Sequence, residues 1–393
     1  MSTTAPVPEG SPAGPPEQTT GSAFIQKLTT ATDWRSALLI PFLAVLSAFI
    51  IGGIIVMLTG VPFTQVIEAY VALFQGAFGS IKAISETLTF ASPLILTGLS
   101  VAIAFRAGLF NIGGEGQVLI GGMTALVVGF SFGGLPWVIH LPLALAAGIL
   151  GGAAYGFIPG FLRARTGAHE VIVTIMLNYI AVLLVQFLLT TSFFQREGRQ
   201  DPVSKNVEPT AELPHLLGWL GSSYRVNLAL VVSLIAAFAI NWLLFRTTVG
   251  YEFRAVGANP AAARYAGISV SRVYISVMVI AGGLAGLAGT EQILGVLGRA
   301  TPGFSGPGLG FDGIAVALLG RSNPWGVVAA AVLFGGLKAG GQQMQVSTSV
   351  GLDLIGVMQA LIIMFVAAPA LISTIYRLKA PVASTQITKG WAS

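Results

Sequence analysis

Long apolar runs with few charges constrain this chain more than any other feature of its sequence. Charged residues make up 9% of the chain and hydrophobic residues 54%, whereas soluble domains carry about 25% charged residues. Because a membrane-spanning helix needs about 20 mostly apolar residues, we predict an all-α, polytopic integral membrane protein with about ten transmembrane helices. The predicted segments are 36–58, 88–105, 117–132, 137–158, 171–190, 226–245, 273–294, 311–320, 324–340 and 352–375.

The basic residues predict the topology. Lys and Arg gather in the cytoplasmic loops of membrane proteins, and with the N-terminus inside, 13 of the 20 basic residues fall on the cytoplasmic side. The loop 191–225 then lies outside and carries four basic and four acidic residues. Both termini are therefore expected in the cytoplasm. Five segments on each side of this loop could form an inverted repeat.

The composition also divides the chain. Residues 1–35 are rich in Pro, Thr, Gly and Ser, and they lack the positive start and apolar run of a signal peptide. We expect a disordered cytoplasmic tail there, a transmembrane domain over 36–376 and a second cytoplasmic tail over 377–393.

Glycines at four-residue spacing occur in two predicted spans. The fourth span contains Gly148, Gly152 and Gly156, and the seventh contains Gly282 and Gly286. Small residues at this spacing let membrane helices approach closely. We therefore predict that these glycines form helix-packing faces rather than ligand contacts.

Several classes of function lack the residues they need. The chain has no cysteine, and its histidines, His140, His169 and His215, lie far apart, so neither a thiolate nor a metal site is expected. The basic residues form no patch or stripe of the kind that binds nucleic acid. No G-x-x-x-x-G-K-[ST] segment is present, so any ATP must be bound by another polypeptide. We predict no catalytic residue, no enzyme activity and no cofactor.

Two glycine-rich interruptions mark the candidate solute path. The first, GLFNIGGEGQ at 108–117, places Asn111, Glu115 and Gln117 between two apolar spans. The second, PGFSGPGLGFDG at 302–313, lies in the corresponding place of the other half. Paired interruptions in inverted halves indicate a substrate path, and a carboxylate at membrane depth is by default a functional candidate.

Each interruption also has a structural interpretation. In the first, Asn111 would cap the next helix and Glu115 would pair with Arg106 at the inner interface. In the second, Asp312 suits the positive end of a helix dipole, whereas the ring of Phe311 could stack on a base or sugar. Both interpretations stay open on the sequence alone.

Two further polar residues lie within predicted spans. Asn178 belongs to the fifth span, and Glu291 lies near the outer end of the seventh. Either could line a solute path or simply hydrogen-bond across helices. We include Asn178 among the candidate path residues.

The cytoplasmic loop 246–272 is longer than its neighbours and should contain a short helix. Asn259 is a typical N-cap residue, Pro260 occupies the favoured first helical position and Gly267 can end the helix. Such a helix is suited to contact a partner protein. The alternative, an ordinary positive-inside loop, explains its arginines but neither its length nor its capping residues.

The sequence resembles the branched permease family of bacterial ABC importers, which includes the ribose and other simple-sugar permeases. The resemblance lies in GYEFRAVGANPAAARYAGISVSR at 250–272, AGGLAGLAGT from Ala281 and GLGFDGIAVALLGRSNPWG at 308–326. It runs in order and spacing from about Ser36 to Tyr376. Where sugar permeases have an acidic motif, this chain has GLFNIGGEGQ, which resembles the nucleoside-permease branch.

The resemblance implies the permease subunit of an ABC importer in the bacterial cytoplasmic membrane, with nucleosides as the first expected solute and simple sugars as the second. It implies cytoplasmic ATPases, a second and usually different permease chain, an extracytoplasmic binding lipoprotein and membrane lipid as partners. By the same resemblance Asn259, Pro260, Ala263, Arg264 and Gly267 would form the coupling helix that docks on the ATPase. The rival class is an ion-coupled secondary transporter, which would need a carboxylate deep in a span.

Overall fold

The computed structural model describes residue 39 and residues 42–368, apart from positions 199, 222, 307, 349 and 352. Within these residues every regular element is helical, and the β-pairing consists of two isolated bridges. The predicted tails 1–35 and 377–393 lie outside the described residues. The helices are α1 (Phe42–Leu58), α2 (Phe63–Phe78), α3 (Ile81–Arg106), α4 (Gly114–Ser131), α5 (Trp137–Thr166), α6 (Glu170–Leu189), α7 (Ala229–Arg246), α8 (Thr248–Ala258), α9 (Pro260–Tyr265), α10 (Val270–Gln292), α11 (Leu309–Leu319), α12 (Pro324–Ser347) and α13 (Asp353–Ala367).

The described helices confirm a multi-pass, all-helical fold. Six of them, α3, α5, α6, α7, α10 and α12, are long and apolar enough to cross a membrane, and α10 continues as a π-helical turn to Leu297. The apolar helices α1, α11 and α13 are shorter. Each of the ten predicted segments overlaps a helix. The number of crossings, the side on which the termini lie and the inverted repeat remain predictions.

Helix α2 was not predicted from the sequence. Its 16 residues extend about 24 Å at 1.5 Å per residue, which is less than the ~30 Å of hydrocarbon that a span must cross. Polar residues such as Gln65 and Glu68 also interrupt its apolar pattern. Its buried side packs on α12, where a Cβ on Gly340 would lie 2.9 Å from the carbonyl carbon of Leu73. Tertiary packing on α12, rather than apolar length, stabilises this helix.

The predicted glycine ladders face each other between α5 and α10. A Cβ on Gly152 would lie 2.6 Å from the Gly286 Cα, and one on Gly282 would lie 3.0 Å from the Gly156 Cα. Helix α4 packs equally closely, since a Cβ on Gly121 would lie 2.7 Å from the carbonyl carbon of Gly286. Side chains larger than hydrogen do not fit these distances, so the predicted packing role is confirmed.

Helix α3 passes through the centre of the bundle. It begins at the N-cap Ser80, whose hydroxyl accepts a hydrogen bond from the Ala83 N–H at 3.1 Å. Residues 91–104 are buried throughout, and the helix packs against α7, α10, α11 and α12. Because α3 ends directly before the first glycine-rich interruption, this central helix fixes the position of that interruption.

The described residues of the loop 191–225 fold back over the bundle. The Val207 N–H donates to the Gly298 carbonyl at 2.8 Å, and the Leu213 N–H donates to the Leu294 carbonyl at 2.9 Å. Phe194 and Leu213 are buried. The loop therefore closes the end of the bundle at which α10 ends.

Candidate functional site

The two glycine-rich interruptions, far apart in the sequence, lie in direct contact. Helix α4 begins at Gly114, next to the first turn of α11. A Cβ on Gly310 would lie 2.6 Å from the carbonyl carbon of Gly114, so only glycine permits this approach. The structure thus brings together the two segments that the sequence analysis selected separately.

Glu115 joins the two interruptions. Its Oε1 accepts a hydrogen bond from the Ser305 hydroxyl at 2.5 Å, and its Oε2 accepts one from the Gly310 N–H at 2.8 Å. Gly310 lies in the first turn of α11, whose N-cap Gly308 has no side chain to satisfy the free N–H groups there. The buried carboxylate therefore caps α11 from a different helix and faces the positive end of its dipole.

The alternative pairing of Glu115 with Arg106 is wrong in this structure. The Arg106 Nε donates to the Ser322 carbonyl at 2.9 Å, and both carboxylate oxygens of Glu115 accept hydrogen bonds from the second interruption. The sequence could not show this, because Ser305 and Gly310 lie about 190 residues further along the chain.

The amide side chains of the site hold the first interruption in place. The Asn111 Nδ2 donates to Gln117 Oε1 at 2.9 Å, and the Gln117 Nε2 donates back to Asn111 Oδ1 at 3.1 Å. From α6, Asn178 accepts from the Gly116 N–H at 2.8 Å and donates to the Ile112 carbonyl at 2.9 Å. All three amides are buried. Asn178 and Asn111, which also accepts from the Gly113 N–H at 3.2 Å, satisfy backbone groups of this irregular segment, and irregular backbone within a membrane domain needs such partners.

The other two candidates, Phe311 and Asp312, have accessible side chains. Phe311 is 48% exposed. The Asp312 Oδ2 lies 2.6 Å from Lys338 Nζ, and these side chains are 19% and 26% exposed respectively. Lys338 was not among the residues predicted from the sequence. A lone charged residue inside the apolar run of α12 was the feature that could have identified it.

Glu291 lies deeper than expected. Helix α10 continues beyond it to Leu297, and the Glu291 side chain is buried. Its Oε2 accepts a hydrogen bond from the Ser92 hydroxyl of α3 at 2.8 Å, while its Oε1 has no hydrogen-bond partner within the described part of the chain. Of the two interpretations left open for Glu291, this contact favours the hydrogen bond across helices, and it places a carboxylate inside the bundle.

The loop 246–272 contains two helices, α8 and α9. Helix α9 begins as predicted: Asn259 Oδ1 accepts hydrogen bonds from the N–H groups of Ala261 and Ala262 at 3.0 and 3.1 Å, and Pro260 is the first helical residue. The helix ends at Tyr265, and Gly267 has a φ of +84°. Glycine adopts this left-handed conformation without strain, which explains its position there.

The side chains of the α9 segment divide into a buried and an exposed set. Ala263 is buried, whereas Arg264 is exposed and Tyr265 is 94% exposed. Ala263 therefore packs on the protein itself. Tyr265, which was not predicted as a docking residue, presents the largest accessible apolar surface of this short helix.

Helix α8 connects this segment to the first interruption. A Cβ on Gly257 would lie 2.9 Å from the carbonyl carbon of Arg106, and one on Gly108 would lie 3.3 Å from the Gly257 Cα. Gly108, the first residue of the interruption, has a φ of +74° at the turn that follows α3. Backbone contact thus links the α8–α9 segment with the residues that contact α11.

The fold and the site define the class of the protein. It is a multi-pass membrane protein in which α4 and α11, the helices that begin at the two glycine-rich interruptions, meet at a buried polar junction. Residues 83–367 match the family described as branched-chain amino acid transport system / permease component. The chain belongs to this permease family, and the relatives it resembles are ABC transporter permeases rather than enzymes.

Three relatives match over most of their length. The guanosine ABC transporter permease protein NupP of Bacillus subtilis (strain 168) is 42% identical over 333 residues, 85% of this chain and 94% of that protein. The nucleoside ABC transporter permease protein NupB of Lactococcus lactis subsp. cremoris (strain MG1363) is 37% identical over 355 residues, 89% and 96% respectively. The glucose ABC transporter permease protein TsgB13 of Haloferax volcanii is 35% identical over 331 residues, 83% and 86%. No solved structure matches the chain.

Proposed function

We propose that this chain is the permease subunit of a bacterial ABC importer that moves nucleosides across the cytoplasmic membrane. The observation that carries this proposal is its 42% identity with NupP, a guanosine permease by name, over 94% of that protein's length. NupB, named for nucleosides, supports the same solute class. The proposal includes ten crossings, with both termini in the cytoplasm.

In this function the buried junction serves as a scaffold. Glu115, Asn111, Gln117 and Asn178 use their side chains to fix the two interruptions, which leaves Phe311 and its surroundings accessible to a solute. An aromatic ring face can stack on a nucleobase. Contacts with a moving solute should be weak, because tight binding would slow release.

The α8–α9 segment would receive the movement of the ATPase. Asn259 and Pro260 start α9, and Gly267 ends the segment in a conformation that favours glycine. Tyr265 and Arg264 are the accessible side chains for docking. The contact between Gly257 and Gly108 supports a mechanical connection from this segment to the junction at Glu115.

Three kinds of partner complete the proposed importer. ATP would be bound and hydrolysed by a cytoplasmic ATPase, and an extracytoplasmic lipoprotein would deliver the solute. A second, related permease chain would share the membrane domain. In support, two guanosine ABC transporter permease proteins of Bacillus subtilis, NupP and NupQ, both resemble this chain.

Uptake of labelled solutes tests the function. A strain lacking this gene should lose uptake of labelled uridine or guanosine while retaining uptake of labelled ribose, and the wild-type gene should restore the lost uptake. Loss of ribose uptake alone would instead favour the sugar candidate, which the 35% identity with the glucose permease TsgB13 supports. If uptake of all three is unchanged, both assignments are wrong.

A further inference from the structure

One face of α12, a helix long enough to cross a membrane, carries exposed polar side chains. On α12, Lys338, Gln342 and Gln345 are spaced i, i+4 and i+7, so they share a helix face. Gln342 and Gln345 are exposed, and the Lys338 side chain is 26% exposed. Lys338 lies about 21 Å from the start of α12 at 1.5 Å per residue. This places it well within the length of a span.

Helix α11 extends the same face. Phe311 is 48% exposed, and the neighbouring Asp312 lies 2.6 Å from Lys338 Nζ. The ion pair thus connects the start of α11 with these α12 side chains, and we call Phe311, Asp312, Lys338, Gln342 and Gln345 together the polar face.

Large apolar side chains form much of the exposed surface of two other spans, α6 and α7. The exposed large side chains of α6 include Leu183 and Phe187, and those of α7 include Ile235, Phe238 and Trp242. Such surfaces suit the hydrocarbon of a bilayer. Ion pairs and amides do not, because polar groups at membrane depth normally face water or other protein.

We propose that the polar face lines the water-filled solute path, and that the Asp312–Lys338 pair keeps this wall of the path electrically neutral. The inference rests on the proposed permease function and deepens it. A lone lysine would attract anions such as phosphorylated solutes, and a lone aspartate would attract cations. Paired, they cancel, while Gln342, Gln345 and Phe311 still offer hydrogen bonds and a ring face. Such a wall suits an uncharged polar solute.

The natural absence of cysteine allows a direct test. Gln342→Cys is introduced into the complete transporter in membranes and reacted with two hydrophilic methanethiosulfonates, one carrying a sulfonate and one a trimethylammonium group. The labelling rate of each reagent is divided by the rate at which the same reagent reacts with a small thiol in solution. Leu183→Cys, 64% exposed on the apolar side, is the matched control. We expect both reagents to label position 342 at similar normalised rates and neither to label position 183.

Charge variants then test the neutral pair. In the Gln342→Cys background, Asp312→Asn should favour the sulfonate over the trimethylammonium reagent by about fivefold, the ratio expected for one unit charge about 8 Å away in water-like surroundings. Lys338→Gln should shift the ratio the other way. Two further variants should restore the ratio of the two labelling rates to that of the unchanged pair. They are the double variant Asp312→Asn with Lys338→Gln and the exchanged pair Asp312→Lys with Lys338→Asp.

The outcomes of these labelling experiments can be distinguished from those of the uptake test of the proposed function. Labelling of position 342 by a membrane-permeant maleimide but not by the hydrophilic reagents would show a lipid-facing or dry surface and overturn the inference. A rate ratio unaffected by either single charge variant would overturn the neutral-wall role. Uridine uptake by the same Gln342→Cys cells is read independently, so the solute assignment can fail while the path assignment stands.

Discussion

The Oε2 of Glu115 accepts a hydrogen bond from the Gly310 N–H at 2.8 Å, and this contact joins the first turns of two helices from different halves of the chain. It converts a carboxylate that looked available for solute into the cap of a broken helix. The junction is therefore held by its own hydrogen bonds, and in the proposed solute path it is the exposed polar face nearby that would meet the solute.

The first prediction concerns this cap. Glu115→Ala should lower the free energy of unfolding by about 1–3 kcal/mol, because it leaves the buried Gly310 N–H and Ser305 hydroxyl without their acceptor. Ser305→Ala should cost less, because it leaves the bond to Gly310 intact. The measurement is thermal or denaturant unfolding of the purified protein in detergent.

A double-mutant cycle provides the control. Since Glu115 and Ser305 are in contact, the two losses should not add, and their interaction energy should be about 0.5–3 kcal/mol. Strict additivity would show that the hydrogen bond between these two side chains contributes nothing to stability.

The second prediction concerns the glycine contacts between α5 and α10. Gly152→Val should prevent the helices from packing, because even a Cβ there would lie 2.6 Å from the Gly286 Cα. We expect loss of the monodisperse peak in fluorescence-detected size exclusion. Gly356→Val is the matched control, since nothing lies within 4 Å of a Cβ built on Gly356 of α13. Equal behaviour of the two variants would contradict the packing argument.

The third prediction concerns the docking of α9. Tyr265→Ala should weaken co-purification with the ATPase at least about tenfold, since exposed tyrosines that become buried at interfaces commonly contribute more than about 1.4 kcal/mol. The variant should remain folded, because the Tyr265 side chain is 94% exposed.

Two variants separate docking from folding. Tyr265→Phe keeps the ring and should retain association. Ala263→Lys should disturb the segment itself, because Ala263 is buried, and its unfolding should show lower stability. Unchanged ATPase association by Tyr265→Ala would refute the docking role of this residue.

The fourth prediction concerns topology. Trp219 is 79% exposed in the loop 191–225, and Tyr265 is 94% exposed in α9. In intact cells an impermeant maleimide should label Trp219→Cys but not Tyr265→Cys, and after permeabilisation it should label both. The wild-type chain, which has no cysteine, gives the background. The reverse pattern would place the termini outside.

The sequence by itself determined those features that depend on neighbouring residues. Apolar length predicted the helices of a multi-pass protein, and the Asn259–Pro260 pair predicted the start of α9. The spacing of Gly152 and Gly286 within their own spans predicted packing faces. Each of these follows from local conformation or from the solvent that a segment must match, so no knowledge of distant contacts was needed.

Only the tertiary structure decided how the polar groups are used. Glu115 and Lys338 are each a single charge in an apolar stretch, and nothing nearby in the sequence identifies Gly310 or Asp312 as their partners. Burying a charge is unfavourable unless a partner compensates it, and in a helical bundle that partner comes from another helix. The packing of helices distant in sequence therefore made Glu115 a structural cap and left the Asp312–Lys338 pair on the accessible face.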